Sequence, residues 1–414
     1  MSAVEPLPGS RGVSHPVALA ALLSGLAMFG PFAVDAFFPA FHTLARELHA
    51  SPWQMQQTIS VYLLGYAMMA LLYGPLSDAL GRRPVILGGI VGFILTSIGC
   101  ALASSIEWLL FARFLQGCST GAGMIVGRAL VRDRYQGPEA QRVMALISMF
   151  FGLGPALAPV LGGLMFLAFG WQAVFLFLAV YGLLLGGLSW RLLPETHPPA
   201  ARQSLRAAAL ARSYAGIIRD RPFLLLVAAT GGNFGGQFLY ISSAPRYIEV
   251  FLGLGSLGYA WFFVPMIVGM VIGSYLSSRL AFRIPPAACA TLGYQVMAAA
   301  TAINLLYNLI ERTLSVPWAV IPNLLYALGV ALAFPPINLL MLDRHPDRRG
   351  GASSVQAMVW GLMTALIAGV AANLVRASPL HLAAGSAALF AIGWLCWLYY
   401  RRLVAVPMTA AASA

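Results

Sequence analysis

The chain has 414 residues, 60% of them apolar and 9% charged, with a formal net charge of +12. Soluble domains average about 45–50% apolar and about 25% charged residues, and a soluble surface needs polar cover, so this composition excludes a soluble enzyme, a disordered chain and a disulfide scaffold and asks for a bilayer. All 25 basic residues are arginine; a Walker A loop needs a lysine on the β/γ-phosphates, and Schiff-base chemistry needs one too, so any work the chain does is driven by a gradient or by a separate subunit.

A membrane helix takes about 20 residues. Apolar runs fall over residues 17–40, 54–76, 84–104, 107–127, 143–168, 171–190, 222–245, 254–278, 285–309, 316–341, 352–375 and 382–400. They predict an all-α membrane protein of twelve transmembrane helices. Residues 1–15 are polar and no A-x-A cleavage site follows the first run, so that run reads as a retained span. Twelve spans put both termini on one side. With that side inside, the inner segments hold 20 arginines, the outer segments hold Arg46, Arg246, Arg312 and Arg376, and Arg113 lies within a span. This positive-inside bias places both termini in the cytoplasm. It explains the basic charge by topology and anionic lipid, with no need for nucleic acid.

Residues 191–221 are the longest polar interruption and carry six arginines. They divide the chain into a tail (1–15), a six-helix half (16–190), a cytoplasmic linker (191–221), a second half (222–402) and a tail (403–414). The linker reads as a basic amphipathic helix on the inner leaflet. Leu76, Ser77, Leu80 and Arg83 recur as Leu276, Ser277, Leu280 and Arg283, at the inner end of the second span of each half. The repeat supports two related halves with a site between them near the midplane. Gly269 and Gly273 have the spacing of close helix packing. Cys100, Cys118, Cys289 and Cys396 all fall in spans and form no CxxC pair, so they read as buried filler. The sequence shows no metal-ligand cluster, P-loop or nucleophile triad, and a non-enzyme is expected.

After the second span comes Gly74-Pro-Leu-Ser-Asp78-Ala-Leu-Gly81-Arg82-Arg83-Pro84. The glycines permit tight turning, Asp78 can face a helix N-terminus, and Arg82 and Arg83 can pair with acids or lipid phosphate. The segment resembles the signature loop of the major facilitator superfamily. Pro31-Phe-Ala-Val-Asp35-Ala-Phe-Phe-Pro39, Arg113-Phe-Leu-Gln116-Gly117, Arg128-Ala-Leu-Val-Arg132-Asp133, and Gly152-Leu-Gly154-Pro155-Ala-Leu-Ala-Pro159-Val-Leu-Gly162-Gly163 narrow the likeness. Together they are similar to the Bcr/CflA drug-resistance branch of proton-coupled exporters. The resemblance implies a fold of two pseudo-symmetric six-helix halves, usually monomeric, in the bacterial inner membrane. It implies that the 74–83 loop latches the halves on the cytoplasmic side, with Asp78 meeting the start of the eleventh span near Gly350 and Gly351. In the second half Ser278 replaces the acid, so the latch is expected to be lopsided. The 154–163 stretch is similar to the superfamily's antiporter motif and implies a kinked, smooth helix between the halves.

Asp35 is the one acid deep in an apolar span. A carboxylate there costs about 2.5–3.5 kcal/mol or more and is usually functional. Burial favours its protonated form and a nearby cation its ionised form, which is the switch that proton coupling requires. Arg113 stands at the same expected depth on the fourth span, and matched buried charges stabilise one another; it is expected to tune Asp35 directly or through water. Protons are thus the coupling ion, no other cofactor is expected, and a single site suggests one proton per cycle. Cavity candidates are Met28, Phe32 and Phe38 on the first span, Tyr62 and Tyr66 on the second, Asn233, Phe234, Gln237 and Tyr240 on the seventh, and Asn323 and Tyr326 on the tenth. An apolar site with a few polar anchors suits an amphipathic, drug-sized partner. The resemblance implies phenicols, bicyclomycin-like compounds or sulfonamides. A metabolite exporter for amino acids, nucleosides or siderophore-like compounds, a proton-coupled uptake symporter, and a transport-inactive sensor are the competing readings.

Overall fold

The computed structural model describes residues 16–135, 137–199, 202, 207–255, 258–281, 283–311, 314–345 and 349–411. The tail expected over 1–15 and residues 412–414 lie outside the described residues. The spans are α1 (Ala18–Glu47), α2 (Pro52–Leu80), α3 (Arg82–Ala101), α4 (Ile106–Arg134), α5 (Gly137–Phe169), α6 (Trp171–Leu192), α7 (Arg221–Ser242), α8 (Tyr259–Leu280), α9 (Pro286–Ile310), α10 (Ile321–Leu342), α11 (Gly350–Leu374) and α12 (Pro379–Val404). Eleven of them are long and apolar enough to cross a membrane by length and composition. The remaining one, α5, is a continuous 33-residue helix whose stretch Leu157–Phe169 is apolar. Large apolar side chains such as Leu95, Phe111, Leu183 and Leu395 stand exposed around the bundle, as a lipid-facing surface requires.

The helix packing repeats between halves. α4 packs on α2 and α3, and α3 on α6; α10 packs on α8 and α9, and α9 on α12. The halves meet along α2–α11 and α5–α8, which exchange places under the same repeat. Glycine sets the closest approaches. A Cβ on Gly117 would stand 1.9 Å from the Tyr62 carbonyl oxygen, and Cβ atoms on Gly269 and Gly273 would stand 2.1 and 2.2 Å from the carbonyls of Leu324 and Leu328. Backbones pack at contact distance there because no side chain intervenes.

Three elements differ from the expected ones. α1 is broken: helix runs over Pro16–Ala27 and Phe29–Asp35, then a single 3-10 turn over Phe38–Ala40, then helix over Phe41–Glu47. Pro31 and Pro39 cannot donate to the ladder, and the chain carries on past the expected end at residue 40. The last helix stays helical to Ala411, so the expected tail is largely helix. The linker contains the expected helix, Ala207–Ile218, but it is docked as well as basic. Tyr214 donates to the Leu71 carbonyl of α2 at 2.9 Å and has Ser354 of α11 as a side-chain partner. Burial pushes the Tyr214 phenol above its ordinary value, so it remains a donor. Ile217 is buried and would lie 3.1 Å from a Cβ on Gly351. The linker helix therefore staples the ends of α2 and α11 that carry the arginine-rich loops.

Gly117→Val forces the α4 and α2 backbones apart and should lower the detergent-solubilised protein's thermal midpoint by several degrees. Gly187→Val is the control, since a Cβ there meets nothing within 4 Å. A fluorescence-detected melting series checks the difference.

Candidate functional site

The break in α1 presents backbone carbonyls at the depth where α4 carries Arg113. The Arg113 side chain has no solvent exposure. Its Nη1 donates to the Ala33 carbonyl at 2.8 Å and to Gln116 Oε1 at 2.6 Å, and its Nε to the Thr58 carbonyl of α2 at 3.2 Å. The guanidinium carbon lies 4.8 Å from the Phe37 ring centroid and 4.5 Å from that of Tyr62. Two aromatic faces and two carbonyls thus replace the water a cation loses on burial. Gln116 passes the network to Ser97 of α3 at 2.8 Å. Arg113 therefore ties α1, α2 and α4 together, and α3 through Gln116.

Asp35 is 3% exposed, two residues beyond the Ala33 carbonyl that Arg113 holds. The common depth expected from residue counting is what the structure has. No ion pair within 4.0 Å joins the two among the described residues. Asp35 Oδ1 and Arg113 Nη2 are both buried and both lack a hydrogen-bond partner. Buried polar groups are nearly always satisfied, so a buried carboxylate and a buried cation that each keep an open position are the part of this network with hydrogen-bonding capacity left over.

The cavity candidates fall into different surroundings. Tyr62 packs on Arg113 and its hydroxyl donates to Thr120 Oγ1 at 3.0 Å. Phe32 turns into α6, stacking on Tyr181 at 5.2 Å. Met28 faces α5 beside Gly154. Phe38 is fully buried, and its carbonyl accepts from Tyr259 of α8 at 2.9 Å. In the second half Gln237 donates to Asn323 at 2.6 Å, Tyr326 to the Asn233 carbonyl at 3.1 Å, and Asn304 to the Tyr240 hydroxyl at 2.8 Å. Asn233 Oδ1 lies 2.9 Å from a Cβ on Gly393 of α12, so that side chain turns away from the other half. Gln237 Oε1 and Asn323 Nδ2 remain unpartnered. Phe234 stacks on Trp360 of α11 with ring centroids 5.1 Å apart, and Phe334 lies 5.0 Å from the same indole. Trp360, absent from the sequence-based set, is its aromatic centre; an aromatic on the eleventh span carried no signal while that span was not counted as lining.

In the signature loop the charges are paired within the first half. Arg82 pairs with Asp78 at 2.5 Å and with Asp133 at 3.0 Å, and donates to Ser77 at 2.6 Å. The acid at the α3 N-terminus is Glu195, which follows α6 and accepts from the backbone N–H groups of Arg82 and Arg83 at 3.0 and 3.3 Å. A negative charge there satisfies orphan donors and the helix dipole. Gly81 has φ +103°, and a Cβ on it would fall 2.5 Å from Glu195 Oε2, so only glycine fits. Arg83 donates to the Trp190 carbonyl at 2.5 Å. Asp78 thus spends its charge on Arg82, and among the described residues no hydrogen bond or ion pair joins it to α11. Glu195 was legible only as an acid in a basic linker.

Along α5 the helix continues through Pro155 and Pro159. The close approach is to α1: a Cβ on Gly162 would stand 1.8 Å from the Ala36 carbonyl, and one on Gly154 would stand 2.9 Å from Pro31. Gly162 and Gly163 are buried. The smooth face is therefore turned to the segment that carries Asp35, while α5 also packs on α8 of the other half. At the end opposite the arginine-rich loops, His42 pairs with Glu249 across the halves at 2.7 Å, and Gln56 donates to the Ser242 carbonyl at 3.2 Å. A cavity of about 230 Å³ opens beside them, lined by His42, Gln56, Arg246 and Asn373 among others; none of the sequence-based candidates lines it.

A family model described as Major Facilitator Superfamily matches residues 17–368. A "Bicyclomycin resistance protein homolog" of Haemophilus influenzae is 29% identical over 385 residues, covering 89% of this chain and 92% of the relative. A "Chloramphenicol resistance protein" of Pseudomonas aeruginosa is 31% identical over 329 residues, covering 78% and 77%. The partially occluded, inward-open xylose transporter XylE from E. coli superposes with a TM-score of 0.73 at 12% identity, covering 95% of this chain and 98% of that one; at that identity the likeness is one of fold.

Glu195→Ala leaves two backbone donors at the α3 N-terminus without their acceptor and should cost about 1 kcal/mol of stability. Glu195→Gln should recover part of that loss, because an amide oxygen still accepts. Thermal unfolding of the two variants beside the unsubstituted protein checks the order.

Proposed function

The chain belongs to the Major Facilitator Superfamily, and on that premise we propose that it is a proton-coupled exporter of amphipathic small molecules in the bacterial inner membrane, both termini cytoplasmic, working as a monomer by alternating access of its two halves. The observation that carries the reading is the pair of open positions, Asp35 Oδ1 and Arg113 Nη2, at one depth inside the first half. A carboxylate with no fixed partner can take a proton when its surroundings dry and release it when the nearby guanidinium and water are admitted. The broken α1, pressed against Gly154 and Gly162 of α5, is the element through which such a change reaches the contact with α8. Relatives named for bicyclomycin and chloramphenicol resistance support export and a drug-like cargo.

The energetics suffice. One proton moving down 100 mV supplies about 2.3 kcal/mol, which is about a fiftyfold concentration ratio for a neutral cargo. The gating contacts follow from the same geometry. Tyr259, His42, Glu249 and Gln56 hold the halves together at one end; the linker helix, through Tyr214, holds them at the other. Export requires these two sets to loosen alternately.

The test is a proteoliposome assay with an imposed pH gradient and a panel of phenicols, bicyclomycin-like compounds and sulfonamides. The unsubstituted protein should accumulate at least one of these against its gradient and move protons in the opposite direction. Asp35→Asn should reduce uphill transport by more than tenfold. Uphill transport by Asp35→Asn at the full rate, or proton movement in the same direction as the cargo, would overturn the reading. Tyr259→Phe should raise the accessibility of a cysteine placed at Met55 to a membrane-impermeant thiol reagent, because one contact closing that end is lost.

A further inference from the structure

Arg128 is a cation within a span that the mechanism leaves unused. It lies in α4, six residues before the end at Arg134, yet the residue is exposed. Its position on the helix shows that lipid does not account for the exposure. The lipid-facing side of α4 is marked by exposed Trp108, Phe111 and Leu115, and at 100° per residue Arg128 stands roughly 100–160° away from them. α3 takes another side, where Gly89 and Gly92 meet Ala122 and Ser119; α1 takes a third, where Leu26 and Leu23 meet Gly123 and Gly127. Arg128 follows Gly121 by seven residues, almost two turns, and Gly121 faces Tyr66 and Tyr73 of α2. The arginine thus opens on accessible space inside the bundle, on the flank turned to the helix that meets α11 of the other half.

Its charge has no answer there. Helical side chains lean toward the N-terminus, which carries the guanidinium away from the arginine-rich end and toward Tyr66, its electrostatic neighbour on α2. Asp78 and Asp133 are paired with Arg82, and Glu195 accepts from the Arg82 and Arg83 backbone. Arg132, one turn farther on, adds positive charge. Among the described residues no hydrogen bond or ion pair reaches Arg128, although a guanidinium has five donors in a fork that matches a carboxylate. Arg113, by contrast, is largely engaged by carbonyls and Gln116. An exposed guanidinium with no counter-charge among the described residues keeps its donor fork free for a ligand, and a carboxylate matches that fork.

We propose that Arg128 is an anion-recognising residue of the passage between the halves, and that the cargo includes amphipathic molecules carrying a carboxylate or a comparable acidic group. The partly exposed stack of Phe234, Phe334 and Trp360 supplies an apolar wall for the rest of such a molecule. This deepens the exporter reading and rests on it.

The experiment measures binding to the full chain in phosphatidylcholine nanodiscs of three naphthalene probes whose substituent is anionic, neutral or cationic: 2-naphthoic acid, its methyl ester and 2-(aminomethyl)naphthalene. The acid should bind at least about tenfold tighter than the ester, with the amine weakest. Arg128→Gln should bring the acid-to-ester ratio to within about twofold, and Arg128→Lys should keep the preference for the acid. Equal affinity of the unsubstituted protein for acid and ester overturns the proposal whether or not the variants fold; so does a ratio that survives in Arg128→Gln. Phosphatidylglycerol added to the nanodiscs should leave the acid bound; if it displaces the acid, the site takes lipid headgroups and the proposal for a free cargo fails. Failure of the exporter reading is read separately: proteoliposomes in which no cargo moves protons would remove that reading while the acid-to-ester ratio stands or falls by itself.

Discussion

A guanidinium buried away from solvent, with no carboxylate paired to it among the described residues, is the constraint around which the first half is arranged. Moving a charge out of water costs several kcal/mol even after relaxation, and Arg113 meets that cost with backbone carbonyls from α1 and α2, the Gln116 amide and two aromatic faces. Those groups must stay where they are for the cation to stay buried. The ladder of α1 is interrupted just where Arg113 needs an acceptor, and Pro31 and Pro39 make the interruption cheap. The requirement for a fixed cation therefore dictates an irregular helix, and the irregular helix is the one that carries Asp35.

The rest of the architecture keeps that irregular segment enclosed and in direct contact with a seam between the halves. Gly162 brings the α5 backbone against Ala36, with no side chain between, so a shift of α1 cannot be absorbed by a rotamer change and must be passed to α5. α5 in turn packs on α8, one of the two seams between the halves. The opposite seam, α2–α11, is stapled by the linker helix at the arginine-rich end. In the exporter proposed above, a proton that changes the charge on Asp35 would bias the choice between two arrangements of these seams.

Much of this was legible in the sequence, for physical reasons. Apolar runs at bilayer length located the twelve helices, because desolvated backbone leaves no alternative to helix, but not all of their ends: α1, α4 and the last helix run on to Glu47, Arg134 and Ala411, past the expected 40, 127 and 400. The depth of Asp35 and Arg113 followed from a rise of 1.5 Å per residue. Their lack of direct pairing did not, since the acceptors that displaced Asp35 are carbonyls that every residue has. The loop at 74–83 was visible as a motif, but its charge pairing was not: Asp78 and Asp133 converge on Arg82 across the chain, and Glu195 reaches the α3 N-terminus from beyond α6. Gly81 was legible as a turn residue, whereas the carboxylate that forbids a side chain there was not. Among the cavity candidates, aromatic identity did not tell Phe32, which packs into α6, from Phe234, which stacks on Trp360; which way a helix face turns is set by neighbours the sequence does not list.

In the proposed cycle the Asp35 carboxyl changes protonation as the halves exchange access, and infrared difference spectroscopy reads that group directly. Oriented membranes of the full chain, compared before and after a transported compound is added, should show a carboxylic-acid carbonyl band exchanging with a carboxylate band, and the pair should vanish in Asp35→Asn. A carboxylate signal that stays constant with and without the compound, across the acid and neutral range, would contradict it.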